Sequence, residues 1–403
     1  MKTYRVEINP LSAFGSKLQA DTIWGHICWA ILYTKGEKEL KDFISSYNQE
    51  SVPLLISNAF PSIKTDEKQI DYLPKPLIKP LDETTKDNMF KTFFSSKKNE
   101  ETKEKRIFND ILKKLKKQSY VSFDIFEKKL KFAFSYKNLY ELILKNEACP
   151  INFSPKPEKN CVNSFRDCPF LITKENKYDN ECEYLEKLKI QKDEIVYRNV
   201  KDRITERVNA GGLFSSNYTF YNQNAGLNIY IKTTLEDDFL YEIFDYIQNT
   251  GFGADKSVGK GQFNYKIYEV KLPECKTSNG FISLSNFFLT PLTSPLIKGG
   301  RVEDALIKPI RNSSSVSPSP ARGEGWGEVG DGFYEIEPKF PKMGETYANS
   351  GNPFKKPLLM IHPGAFFYTD KVYDFYGQLI KGVYDKPEIV QYSYIFPMGV
   401  NVQ

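Results

Sequence analysis

Residues 251–263 read GFGADKSVGKGQF and contain four glycines, two lysines and one aspartate. Before this stretch, apolar residues between 240 and 247 recur at the spacing of one helix face, and Gly251 stands where a helix-ending glycine is expected. After it, residues 263–267 alternate between apolar and polar side chains, as in a half-buried strand. The stretch therefore predicts a helix, a glycine-rich loop and a strand, in that order.

This order excludes the common phosphate-binding loops. A Walker loop needs a strand before and a helix after, with four residues between its glycines, whereas five separate Gly253 from Gly259. It also needs Ser or Thr after its lysine, but Gly261 follows Lys260. A dinucleotide fingerprint fails because Lys256 stands where its third glycine belongs. A loop without Cβ atoms beside two lysines suits the close approach of a nucleic-acid backbone; a flexible turn with solvated lysines is the alternative.

The totals favour a folded protein of about two or three domains, since 403 residues contain 40% apolar and 14% aromatic side chains. The net charge is only +5, so a surface for nucleic acid has to be local. Residues 86–137 hold 15 Lys and Arg against 7 Asp and Glu, a local balance of +8. Basic charge is therefore concentrated in one part of the chain.

The sequence indicates a cytoplasmic protein without a membrane partner, because the first ten residues lack a hydrophobic signal core and no apolar run approaches a membrane span. Four cysteines gather at Cys149, Cys161, Cys168 and Cys182, but none of their spacings is a Cys-x-x-Cys knuckle. Reduced thiols are favoured over a zinc site. We expect no metal and no cofactor.

Apolar periodicity outlines an α+β fold. The predicted elements are a strand at 4–8, a helix at 21–31, strands at 213–221 and 227–231 joined as a hairpin, a helix at 237–249 and a strand at 262–271. This is the βαββαβ order of a ferredoxin-like (RRM-like) domain, with about 50–195 inserted after the first helix.

The predicted first domain is 1–272, and 273–403 forms a second small domain with strands at 357–361, 365–368 and 392–396. Residues 291–332 are rich in Pro, Gly and Ser and are predicted to be disordered.

The start of the first helix carries several candidate residues. Asp21 is expected to cap it, Trp24 belongs to its apolar stripe, and the small Gly25 would let a ligand approach its positive end. His26 is considered as a general base, although a hydrogen-bonded structural histidine is the more common case. No catalytic residue is assigned.

Two further basic segments are ambiguous. Arg198, Arg203 and Arg207 suit phosphate binding or base stacking, and ion pairs with Asp202 and Glu206 are an equal alternative. An extended arm at 73–80 leads into the lysine-rich stretch 82–117, which is either a solvated face or an RNA-tracking surface.

Five segments in order resemble one known family: QADTIWGHICWAI, LLISNAFP followed by LPKP, VKDRITERVNAGGLF, GFGADKSVGKGQF and KPLLMIHPGAFF. They are similar to the fourth Csm subunits of type III-A CRISPR effector complexes, members of the RAMP superfamily with ferredoxin-like domains. The resemblance implies a non-enzymatic subunit in antiviral defence. Such a subunit holds the 5′ repeat-derived handle of the CRISPR RNA and bridges the large polymerase-like subunit to the first backbone RAMP subunit.

The resemblance also implies site residues. The RNA-binding positions would be Asp21, Trp24, Gly25, His26, Arg203, Arg207, Gly251, Gly253, Lys256, Ser257, Gly259, Lys260 and Gly261. The excursion 73–130 would correspond to a thumb-like hairpin between guide and target RNA, with Phe123 or Phe126 wedged against a base.

Two other functions remain open at this point. Other RAMP proteins cleave repeat RNA without a metal, and a comparable set here would be His26, Tyr4 and either Lys256 or Lys260. A general single-strand binder outside any complex is the second alternative.

Overall fold

The computed structural model describes residues 1–48, 51–64, 69–94, 101–127, 134–145, 147, 170–171, 191–201, 208–273, 275, 277–289, 332–349 and 351–403. The helices are α1 (Ala20–Lys35), α2 (Glu37–Ser45), α3 (Glu83–Phe93), α4 (Glu101–Lys117), α5 (Phe123–Ile125), α6 (Tyr136–Leu144) and α7 (Asp237–Thr250). The strands up to residue 269 are β1 (Lys2–Pro10), β2 (Leu54–Lys64), β3 (Gln69–Pro74), β4 (Tyr120–Ser122), β5 (Phe170–Leu171), β6 (Gln191–Lys201), β7 (Val208–Tyr221), β8 (Ala225–Thr233) and β9 (Phe263–Glu269).

The remaining strands are β10 (Gly280–Ser283), β11 (Phe287–Leu289), β12 (Gly332–Phe333), β13 (Ile336–Lys339), β14 (Leu358–Ile361), β15 (Phe366–Tyr368), β16 (Tyr376–Ile380), β17 (Gln391–Ile395) and β18 (Pro397–Val400). The combination of helices with antiparallel sheets confirms the predicted α+β class.

A seven-stranded sheet forms the centre of the first region, in the order β5-β4-β3-β2-β8-β1-β9. Its strands β9, β1, β8 and β2 are antiparallel neighbours. Helix α1 connects β1 to β2, and α7 connects β8 to β9. These four strands and two helices have the βαββαβ connectivity of a ferredoxin-like domain, as the sequence predicted.

The helices stay on this sheet because their apolar stripes are buried against it. Ile23, Ile27 and Ile31 of α1 and Ile243 and Phe244 of α7 are each at most 2% exposed. Each such side chain contributes about 1.5–3 kcal/mol through burial. Both helices end at glycines with positive φ, as expected where the chain must leave a helix in the left-handed region.

The prediction for the second strand of this unit is wrong. Residues 213–221 belong to β7, which pairs with β6 in a separate two-stranded ribbon, whereas β8 pairs with β1 and β2. The true second strand is β2, so the long excursion follows β2 and does not begin at residue 50. Almost every residue of β2 is buried, and the alternation that marks a half-buried strand is therefore missing.

The excursion between β2 and β8 packs on the first region. Phe108, Ile111 and Leu115 on the inner face of α4 are buried, which leaves its opposite face exposed. The arm after β3 is anchored by backbone hydrogen bonds from Lys75 to Ser119 and from Leu77 to Gly364. Helices α3 and α4 occupy much of the segment that was predicted to be a thumb-like hairpin.

The prediction that Phe126 wedges against a base is wrong. Phe126 is 1% exposed and stacks on Phe134, so no base can reach its ring. Phe123 is partly buried against the core.

The described C-terminal region consists of three small antiparallel sheets, in the orders β12-β15-β10-β18, β11-β14-β13 and β16-β17. Strands β14, β15 and β17 confirm the three strands predicted there. The predicted disordered insert lies outside the described residues except for its last residue, Gly332, and the four clustered cysteines lie outside them entirely. The predicted division of the chain at residue 272 stays a prediction.

Candidate RNA-binding site

The glycine loop, residues 251–261, needs five positive φ angles. Gly251, Gly253, Gly259 and Gly261 have φ between 67° and 83°, and Asp255 adopts φ 61°. An L-residue pays about 1–2 kcal/mol in this region, whereas glycine does not. The glycine spacing in the sequence therefore encodes the path of the backbone.

Most of these glycines also allow close packing within the protein. A Cβ on Gly261 would lie 1.9 Å from the Phe252 carbonyl oxygen, and one on Gly253 would lie 2.6 Å from Ser16 Cβ. Gly259 differs, because a Cβ there would meet no atom within 4 Å. Gly259 is thus a loop glycine that faces open space.

Three hydrogen bonds fix the loop to the segment before α1 and to α1 itself. Gly261 N donates to Ala13 O at 2.8 Å, and Ala254 N donates to Ser16 Oγ at 3.0 Å. Gly253 N donates to His26 Nε2 at 3.0 Å. The loop is therefore firmly attached, and its exposed residues are Ala254 and the tip, Ser257 to Gly259.

His26 is a structural residue in this geometry. Its Nε2 accepts the Gly253 amide, and its ring lies 4.3 Å from the Phe252 ring centroid. Burial, aided by the nearby Lys256 charge, lowers the pKa of His26 to about 3. The imidazole is thus neutral at physiological pH, and the nitrogen that a general base would use is occupied.

The comparable catalytic set is not assembled around His26. The Tyr4 hydroxyl donates to Asp237, and Tyr4 lies at the opposite end of β1 from Pro10, which pairs with the strand after the loop. His362 lies in the C-terminal region, with its Nε2 3.0 Å from Glu337 Oε2.

The two loop lysines have fixed positions. Lys256 forms an ion pair with Glu345, and both side chains are about one-fifth exposed. Lys260 Nζ lies 5.0 Å from the ring centroid of Tyr218 and 5.7 Å from that of Phe220. Lys256 therefore ties the loop to the C-terminal region, whereas Lys260 holds its charge over aromatic rings of β7.

The β6–β7 ribbon meets the loop at Asp255. The Tyr218 hydroxyl donates to this carboxylate, and Arg198 Nη1 approaches it at 3.4 Å. The Arg198 guanidinium also lies over Tyr218, 5.3 Å from the ring centroid. Of the predicted arginines only Arg198 is described; Arg203 and Arg207 lie outside the described residues.

Asp21 and Trp24 have internal partners. Asp21 is buried and accepts hydrogen bonds from Lys339 at 2.8 Å, Asn286 at 2.9 Å and Gln391 at 2.8 Å. It joins α1 to the C-terminal region. The prediction that Asp21 caps α1 is wrong. The helix begins one residue earlier, at Ala20, whose amide donates to Asn58 Oδ1.

Trp24 is 5% exposed, donates from Nε1 to the Tyr47 hydroxyl at 2.9 Å and stacks on Tyr392. Gly25 lies beside it with open space where a Cβ would be.

Sequence reasoning missed the residues that connect the site. Asp255, Tyr218 and Glu345 hold the loop between the ribbon and the C-terminal region, and no local pattern marks them. The ribbon itself exposes Tyr197 and Leu213, 69% and 67% exposed. The run Ile195-Val196-Tyr197, made of β-branched and aromatic residues, was the available signal.

The described residues hold no candidate metal site and no candidate membrane-spanning helix. No group of three or more His, Cys, Asp or Glu side chains is placed to hold a metal ion there. In the same part of the chain, none of the helices has both the length and the hydropathy to cross a bilayer.

Comparison with known families decides the superfamily. The RAMP superfamily pattern matches residues 16–264, which is more than half of the chain and includes α1, the ribbon and the glycine loop. The chain belongs to the RAMP superfamily. This confirms the superfamily part of the resemblance seen in the sequence. The sequence has no significant match among curated proteins.

Two solved structures are similar to this RAMP chain, and the first of them shares its fold. A chain of the Csm3–Csm4 subcomplex from the type III-A CRISPR-Cas interference complex is 12% identical, with a TM-score of 0.52; the match covers 100% of both chains. A chain of the Csm1–Csm4 cassette with AMPPNP is 16% identical with a TM-score of 0.47, covering 100% of this chain and 99% of that one.

Proposed function

We propose that this RAMP protein is a CRISPR RNA-binding structural subunit of a type III-A (Csm) antiviral complex. It holds the 5′ repeat-derived handle at the glycine loop. The observation that carries this proposal is the loop itself: an exposed tip that ends in Gly259, fixed on three sides and flanked by Lys256 and Lys260. Such a tip lets a sugar-phosphate backbone come close without having to order the protein first.

The surroundings of the loop suit single-stranded RNA. Unpaired bases are bound through stacking on aromatic rings and arginine planes, and the ribbon brings Phe220 and Arg198 to the loop. Phe220 is 37% exposed, so part of its ring is accessible. Gly25 adds open space at the start of α1.

The internal partners of some predicted site residues change their proposed role. Asp21, Trp24 and His26 would act by holding α1, the loop and the C-terminal region together, so that the handle meets a preformed surface. Arg203 and Arg207 remain proposed RNA contacts from the ribbon side.

Target RNA would be contacted by the ribbon and not by the excursion at 73–130, which the resemblance had implied. The excursion at 73–130 is packed on the body, whereas the ribbon exposes Tyr197, Leu213 and Phe214. The ribbon is therefore the better candidate for contacts near the start of the guide, where target RNA pairs.

The protein partners follow from the resemblance together with the fold shared with the Csm3–Csm4 chain. In the proposed complex the subunit bridges the large polymerase-like subunit and the first backbone RAMP subunit. Neither contact involves chemistry.

The proposed role is non-enzymatic, because the only histidine near the loop already accepts a hydrogen bond and resists protonation. Incubation of the purified chain with labelled repeat RNA, with and without EDTA, tests this. Intact RNA is the expected result. Cleavage at one position that His26→Ala abolishes would identify the protein as a repeat-processing nuclease.

Handle binding is tested by comparing the repeat-derived handle with a scrambled RNA of the same composition at about 150 mM salt. Tighter binding of the handle by the full chain is expected. Equal affinity for both would indicate a general single-strand binder and contradict the proposal.

A further inference from the structure

Helix α4 presents a basic face that the glycine loop does not explain. Lys103, Arg106, Lys113 and Lys117 are exposed and lie along one side of the helix. Asp110 is the acidic residue within this stripe. Because a helix rises 1.5 Å per residue, the stripe is about 20 Å long.

Helix α4 carries more exposed cations without an ion pair than the other helices do. In the described part of the chain, α2, α3 and α6 each have one such lysine (Lys38, Lys91 and Lys137) beside one that is paired within a turn, as in Lys41–Glu37 at 2.7 Å. In α4, Lys105 pairs with Glu101. No carboxylate of the described residues lies within ion-pair distance of the four stripe cations. An ordinary solvated helix face would mix its charges more evenly.

Stabilisation of the helix end does not account for the stripe either. Cations near a helix C-terminus usually complement its dipole and unpaired carbonyls. Here the buried Lys75 already does so, because its Nζ donates to Leu115 O at 2.7 Å and to Lys116 O at 3.0 Å. Lys113 and Lys117, four residues apart, then repel each other without a compensating local contact.

The stripe is also held in place. The inner face of α4 is buried through Phe108, Ile111 and Leu115, and the Tyr140 hydroxyl donates to Leu112 O at 3.2 Å. A fixed row of unpaired cations is suited to a flexible polyanion, which supplies phosphates at every nucleotide.

We infer that the exposed face of α4 is a second RNA-binding surface, which holds the sugar-phosphate backbone of single-stranded RNA without regard to sequence. This inference goes beyond handle binding and holds even if the handle binds elsewhere. It commits to RNA; an acidic protein surface is the competing occupant.

The test uses the full chain with fluorescent oligouridine of about 20 nucleotides, which lacks the handle sequence. The variant combines Arg106→Gln, Lys113→Gln and Lys117→Gln. The control combines Lys38→Gln, Lys266→Gln and Lys381→Gln, which removes the same charge from exposed positions elsewhere.

We expect the α4 variant to bind oligouridine roughly tenfold more weakly, with the slope of log K against log salt reduced by about 2, and the control to match the wild type. An equal loss of oligouridine affinity in both variants, or no loss in either, would overturn the inference. It would also fall if oligouridine binding were unchanged while the α4 variant no longer joined the other subunits.

A second measurement does not depend on the variants folding. Lys113 and Lys117 of the unmodified protein should be protected from acetylation by oligouridine, whereas Lys381 should react equally with and without it. Unchanged reactivity at Lys113 and Lys117 would contradict the inference.

Discussion

In the glycine loop, Lys256 and Lys260 each have a fixed partner, whereas the stripe cations of α4 have none among the described residues. Lys256 pairs with Glu345, and Lys260 lies over Tyr218. On α4, Lys113 and Lys117 extend into solvent from a helix that Lys75 already caps. Both surfaces are basic, but only one of them has its charges positioned by other side chains.

The difference separates two kinds of proposed RNA contact. Positioned charges beside a rigid backbone favour one arrangement of phosphates and therefore one segment of RNA. Charges that lie on a fixed helix but have no side-chain partner add affinity that depends on salt and not on sequence. The loop is thus suited to selecting the handle, and α4 to retaining RNA that is already bound.

The largest expected effect concerns the charge that anchors α1. Asp21→Ala leaves the largely buried Lys339 ammonium without its carboxylate, so the free energy of unfolding should fall by about 3–5 kcal/mol. Asp110→Ala on the exposed face of α4 is the matched control and should change it by less than about 0.5 kcal/mol. Urea unfolding of both variants checks this. Similar values for the two would show that buried and exposed carboxylates do not differ as described.

The next effect depends on pH. His26 has a pKa of about 3 in the folded protein against 6.5 when unfolded, so the unfolded state binds more protons between these values. Its contribution to stability is complete above pH 6.5 and is lost as pH falls towards 3, by up to roughly 5 kcal/mol. Urea unfolding between pH 4 and 7 measures the slope.

His26→Gln keeps a side-chain acceptor that does not titrate, and it should remove this part of the acid sensitivity. If the variant and the wild type lose stability in parallel, His26 does not hold the loop as described.

A smaller effect separates two glycines of the same loop. Gly261→Ala places a Cβ 1.9 Å from the Phe252 carbonyl oxygen and should cost about 2–3 kcal/mol. Gly259→Ala meets no atom and should cost about 1–2 kcal/mol for its positive φ alone. Thermal unfolding ranks the two, and a greater cost at Gly259 would contradict the packing of the loop.

Loop lysines should affect binding more than stability. The double variant Lys256→Ala, Lys260→Ala is expected to weaken handle binding roughly tenfold and to flatten its salt dependence. Lys38→Ala, Lys381→Ala serves as a control of equal charge. Unchanged handle affinity and slope would exclude the loop as the main contact.

The smallest effect is expected from the low-complexity insert. Deletion of residues 295–330 should leave assembly with the other subunits and handle affinity unchanged, because this composition cannot form a core. Co-purification of the deletion variant measures this. Loss of the complex would assign the insert a role in assembly.

The local sequence pattern was sufficient to predict the secondary-structure elements around the loop. The helix at 237–249, the glycines and the strand at 262–271 correspond to α7, the left-handed positions and β9, because all three depend on near neighbours in the sequence. Strand pairing depends on distant residues. The turn at 222–225 exists, but it joins β7 of the ribbon to β8 of the central sheet, so a turn signal does not identify the partner strand.

The site residues were predicted less well for the same reason. Asp21 resembles a helix cap until Lys339, 318 residues away, is placed beside it. Lys256 resembles a free cation until Glu345 is in contact with it. Both partners come from the C-terminal region, and sequence spacing alone cannot reveal such contacts.

The central claim is most directly tested by cross-linking the chain to a handle RNA that carries photoreactive uridines at successive positions, followed by mass spectrometry of the adducts. We predict adducts within Gly251–Gly261 and on the adjoining ribbon, with fewer in the Lys256→Ala, Lys260→Ala variant. Handle adducts confined to other regions, such as β13 and β14, with the loop unmodified, would contradict the proposal that the glycine loop holds the handle.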